Sequence, residues 1–87
     1  MKDNSLKISA SSVELFKKEA DLMFQFTAHY LGRELTNADK EKVHKAASRG
    51  FIGRYILLYD GVQIGVITHS LADKSNPNLV NVIIEKR

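Results

Sequence analysis

The stretch that most constrains this chain is residues 12–31, SVELFKKEADLMFQFTAHYL, the longest periodic segment it has. At 100° per residue, Val13, Leu15, Phe16, Ala20, Leu22, Met23, Phe24, Phe26, Thr27, Tyr30 and Leu31 fall on one continuous arc, and Lys17, Lys18, Asp21, Gln25 and His29 fill the rest. A surface helix needs an apolar stripe only a little over ~100° wide, and this arc is about twice that. The segment predicts one long helix that must be covered on two sides. Ser11 and Glu14 form a capping-box pattern ahead of it, and Gly32 is placed to end it in a left-handed conformation.

Thr36 and Asp39 mark a second helix start, and residues 37–49 predict the helix itself, stopped by Gly50. Its apolar face is thin, with only Val43, Ala46 and Ala47. After Gly50 the period becomes strand-like. Asp60-Gly61, set between two apolar β-branched runs, is the sequence of a two-residue type I′ turn. That turn predicts strands at 54–59 and 62–69, with Tyr59 opposite Val62, Leu57 opposite Ile64 and Tyr55 opposite Val66. These six side chains form a face for the long helix. Residues 70–78 read as a loop and residues 79–85 as a third strand. Residues 5–9, SLKIS, alternate well enough for a short fourth strand at a sheet edge. The expected class is α+β, a single small domain with two N-terminal helices packed on an antiparallel sheet.

Composition excludes several functions. The 87 residues include no Cys, which removes disulfides, thiolate nucleophiles and Cys-based zinc sites. No apolar run reaches the ~18 residues of a membrane span, and the first nine residues are too polar for a signal peptide, so a cytoplasmic protein with no membrane association is expected. No P-loop, GxGxxG, GxSxG or HExxH motif is present, and no cofactor is implied. His29, His44 and His69 share no metal-ligand spacing and read as surface histidines, so neither a metal site nor catalysis is expected. An enzyme would require one of them to meet Tyr30, Tyr55 or Asp60 in a cleft.

Charge is unevenly placed. Residues 40–54 hold five Lys or Arg and one acid, a net +4, whereas the remainder of the chain nets −1. On a helix, Lys42, Lys45 and Arg49 lie within about 60° of one another, and Arg54 extends the stripe. Such a row suits nucleic-acid phosphates, which position a protein without reading sequence. Against this stands a solvated helix face. The first functional expectation is therefore a non-enzymatic regulatory protein binding RNA or DNA through Lys42, Lys45, Arg49 and Arg54, as an oligomer.

The alternative is a protein–protein inhibitor or adaptor, of the antitoxin-like or host-modulating kind. The second sheet face carries Ile56, Leu58 and Ile67 within a polar rim of Arg54, Gln63 and His69, which is the character of an interaction surface. The surplus helix arc around Leu15, Leu22 and Phe26 calls for a second subunit or a partner. Glu19, inside that arc, is expected either to reach solvent or to pair with Lys or Arg, because unpaired burial is costly.

Overall fold

The computed structural model describes residues 5–9, 13–47 and 53–87. In chain order the elements are β1 (Ser5–Ser9), α1 (Val13–Leu31), α2 (Asn37–Glu41), β2 (Val43–Ala47), β3 (Arg54–Tyr59), β4 (Val62–Asp73) and β5 (Asn76–Lys86). The strands form one antiparallel sheet in the order β1-β5-β4-β3-β2. Strands β2 to β5 are a meander, and β1 adds to its far side. Helix α1 links the two edge strands and lies across one face of the sheet.

The long helix forms as its periodicity predicts. Gly32, at φ 76°, ends it, and its N–H donates to the Ala28 carbonyl at 2.8 Å. Ser11, half of the proposed capping box, lies outside the described residues. The sheet alone covers more of the arc than the thin second helix suggested. Leu22, Met23 and Phe26 are buried against Leu57, Ile64, Ile67, Val82 and Ile84. Leu15 is half-buried against the same cluster. Thr27 is buried and Phe24 packs against the core, whereas Val13, Phe16 and Tyr30 of the arc are exposed.

The second helix is corrected. It keeps its start, where the Thr36 hydroxyl accepts from the Asp39 N–H at 3.1 Å and the Asp39 carboxylate accepts from the Thr36 N–H at 3.0 Å. It ends at Glu41, with Lys42 as its cap. Residues 43–47 form a strand paired with β3 from Val43↔Tyr59 to Ala47↔Tyr55. Tertiary pairing overrides a weak local preference here: as a helix this segment buries one Val and two Ala, whereas as a strand it extends the sheet and puts Val43 into the core at 8% exposure. The basic helix stripe therefore does not exist among the described residues, and Arg49 lies outside them.

The hairpin turn forms as predicted, with Asp60 at φ 54° and Gly61 at φ 80°, both left-handed as a type I′ turn demands. Tyr59 faces Val62, but two residues further in the register slips. Leu58 opposes Gln63 while Leu57 opposes Gly65, so Ile64 is an extra residue in β4. The bulge reverses the face assignment beyond it. Ile67, expected on the mixed face, lies on the core face at 0% exposure, and Val66 takes the outer face opposite Ile56. Gly65 makes the bulge feasible: a Cβ there would lie 2.8 Å from the Glu85 carbonyl oxygen and 3.0 Å from Phe26 Cε1. The expected loop at 70–78 shrinks to a turn, because β4 runs to Asp73 and β5 begins at Asn76. Pro77, which has no N–H to give a ladder, sits where that pairing is irregular. The sheet thus has five strands, with β1 as the predicted short edge strand.

Candidate functional site

Two polar clusters tie the helices to the sheet. The first is built on Glu19, the one carboxylate on the sheet-facing side of α1. It is 4% exposed. Its Oε1 accepts from Lys45 Nζ at 2.6 Å, and its Oε2 lies 2.5 Å from His69 Nε2. An ionised carboxylate only accepts, so Nε2 carries the hydrogen in this contact. The sheet register explains the convergence. Lys45 opposes Leu57 and His69 opposes Val82, which places both on the core face under α1. Tyr55, on the same face, stacks at a tilt on His69 with ring centroids 5.0 Å apart, and Lys45 Nζ lies 4.7 Å from the Tyr55 ring centroid. Both oxygens of Glu19 are thus used by internal donors, and its charge is matched by that of Lys45.

The second cluster centres on Asp39, which is 5% exposed. It accepts a forked pair of bonds from the Arg33 guanidinium, a bond from the Tyr59 hydroxyl at 2.7 Å and one from the Thr36 N–H. Arg33, then the Thr36 N–H, then Tyr59 hold the Asp39 carboxyl far below the usual carboxylate range. The same contact with Asp39 pushes the Tyr59 hydroxyl and the Arg33 guanidinium up. This cluster locks the connection after α1 onto β3, and every member is satisfied within it.

Beside the Glu19 cluster, α1 and β2 diverge to leave a cleft of about 290 Å³. Phe16, Ala20, Met23 and Phe24 line it from the helix, Val43, His44 and Lys45 from the strand, and Glu19 with Lys45 forms its polar floor. Phe16 is 79% exposed, and Val13, one turn before it, is 85% exposed. Lys40 holds its ammonium 5.6 Å from the Phe24 ring centroid. The cleft opens at the sheet edge, because no described strand pairs with the outer side of β2.

The described residues of the expected basic stripe fall on different elements. Lys45 is engaged by Glu19, Lys42 caps α2, and Arg54 begins β3 opposite Thr68. Of the expected protein interface, Leu22, Phe26 and Ile67 are core residues at 9%, 6% and 0% exposure and need no second subunit to cover them. Ile56 and Leu58 remain on the outer sheet face, half-buried, with Val66 and Ile83. His29 and His44 are exposed, but His69 is not a surface histidine. Its pairing with Glu19 is the feature sequence reasoning missed. The available signal was Glu19 itself: a charge inside an apolar arc needs partners, and His69 stands next to the apolar strand that the arc covers.

Among the described residues no group of three His, Asp or Glu side chains is arranged to hold a metal ion, and no helix is long and apolar enough to cross a membrane. Compared with family models, curated proteins and solved structures, the chain finds no match.

Proposed function

We propose that this protein is a non-enzymatic binding protein, of the inhibitor or adaptor kind, that engages another protein at the cleft between α1 and β2. The observation that carries this reading is Phe16, a large aromatic side chain left in water at a concave apolar site. Covering a Phe side chain contributes about 1.5–3 kcal/mol, and aromatic anchors beside pockets dominate the energetics of protein interfaces. Nothing internal to the described fold requires Phe16 to be aromatic, since the core on the other side of α1 closes without it.

Nucleic-acid binding ranks second. Its favoured geometry needed Lys42, Lys45 and Arg49 in a helical row, and Lys45 instead neutralises Glu19. An enzymatic reading draws some support from the meeting of His69 with Tyr55 and Glu19. It is disfavoured because Glu19 is already engaged by Lys45 and His69, and neither His69 nor Tyr55 lines the cleft.

The test is affinity capture with the wild-type chain and with Phe16→Asp, each with and without nuclease. A stoichiometric protein partner that survives nuclease and is lost with Phe16→Asp is the expected result. Recovery of nucleic acid alone, or of a protein equally well by both chains, refutes the reading.

A further inference from the structure

We infer that the partner is held as an added strand: an extended, acidic and apolar segment of another protein pairs with the open edge of β2 and drops alternate side chains into the adjoining cleft. This rests on the cleft being the protein-binding surface. Three observations lead to it.

The first is the hydrogen-bonding phase of β2. The Asp60 N–H donates to the Lys42 carbonyl at 2.9 Å, and Val43 opposes Tyr59 in the ladder. Hydrogen-bonded and non-hydrogen-bonded pairs alternate in an antiparallel ladder. His44 and Ala46 are therefore the residues bonded to β3, and Val43, Lys45 and Ala47 turn their N–H and C=O groups to the open edge. An edge of this kind is a template for another strand.

The second is the position of the cleft. It lies on the core side of β2, between that strand and α1. A strand laid along the edge sends every second side chain to that side, toward Phe16, Ala20 and Phe24. The third is charge. β2 lies within a stretch of the sequence rich in Lys and Arg, residues 40–54, and although Lys45 is paired with Glu19, Lys40 and Lys42 are exposed at its approach. An acidic segment complements that stretch. A second copy of this chain complements it less well: two-fold pairing of β2 with itself brings the same basic stretch against itself in every register and, when centred on Lys45, sets Lys45 directly opposite Lys45, where like charges are destabilising.

The experiment selects from a displayed library of random peptides, about eight residues long, on immobilised wild-type chain and in parallel on Ala47→Pro. Proline removes the outward N–H of Ala47, keeps the β3 ladder and is tolerated on strand edges. Wild type should enrich peptides that alternate apolar and polar residues and carry Asp or Glu. These should bind Ala47→Pro about tenfold more weakly, the loss expected for one backbone hydrogen bond left unmade. Bound peptide should slow exchange of the Val43, Lys45 and Ala47 amide protons and leave His44 and Ala46 unchanged. If Ala47→Pro does not fold, N-methylation at alternate peptide positions makes the same test from the other side, and one of the two phases should abolish binding.

No enrichment, basic enriched peptides, or those three amides unmoved by bound peptide would overturn the inference. Peptides that lose binding to Phe16→Asp but keep it to Ala47→Pro overturn strand addition and leave the cleft as the binding surface. Peptides indifferent to both variants remove both readings. A wild-type dimer that Ala47→Pro turns into a monomer replaces the partner with a second copy. An oligonucleotide that protects the same amides, with no peptide enriched, replaces it with nucleic acid.

Discussion

Replacing Glu19 by Gln tests whether the cluster under α1 is a buried ion pair in energetic fact. The substitution keeps shape and one acceptor and removes the charge. Lys45 and His69 are then left beside a neutral amide. Breaking a fully buried pair by removing one partner costs about 3–5 kcal/mol. Here the carboxylate side chain is 6% exposed, but the Lys45 side chain is 29% and that of His69 19% exposed, so the ammonium recovers part of its hydration. The expected loss is therefore about 2–3 kcal/mol, below that range. For a domain of this size that is a fall of about 10–20 °C in Tm, and about 2–3 M in the urea midpoint if the slope is near 1 kcal/mol/M. Thermal and urea unfolding by circular dichroism at pH 7 measure both. A companion, Glu19→Leu with Lys45→Met, removes both charges and should recover much of the loss, because well-packed apolar residues replace buried ion pairs at little cost. A Glu19→Gln chain within about 0.5 kcal/mol of wild type, the range of ordinary surface substitutions, refutes the reasoning. So does a double variant less stable than the single one.

Other outcomes follow from the same geometry. Gly65→Ala places a Cβ against the Glu85 carbonyl and the Phe26 ring, so it should cost about 1–3 kcal/mol by overpacking, read as a lower Tm. Phe16→Asp, on an exposed site, should leave Tm within a few degrees of wild type while removing partner binding. Asp39 has its carboxyl held below the ordinary value of 3.8, so its stabilisation is complete above that pH and is lost as acid protonates first the unfolded chain and then the folded one. The stability gap between wild type and Asp39→Asn should therefore narrow from pH 7 to pH 2, measured by urea unfolding at each pH. Tyr59 is raised by the same contact, so one of the three tyrosines should ionise above the ordinary value of 10.0 in an absorbance titration at 295 nm, and Asp39→Asn should return it to that range.

What the sequence determined by itself was local. The long helix and its Gly32 stop, the Thr36–Asp39 cap, the Asp60-Gly61 turn and the short strand at residues 5–9 are each written in a few neighbouring residues, by periodicity, capping chemistry or the demand for positive φ. Residues 43–47 were not legible in this way, because VHKAA has no decisive preference and its state depends on whether β3 offers a free edge. The bulge at Ile64 was equally hidden, since either register satisfies the turn. Gly65 admits the observed one, since a Cβ there would meet the Glu85 carbonyl and the Phe26 ring, and with that register Ile67 and Val66 exchange faces. The binding cleft follows from both decisions. Phe16 was visible as one apolar residue among eleven on the arc, but which of those the sheet would cover was a matter of where α1 crosses it. The tertiary structure alone decided that Leu22 and Phe26 are inside and Phe16 is outside. It also turned Lys45 from one step of a basic stripe into the partner of Glu19, because pairing across a sheet brings together residues that no local pattern connects.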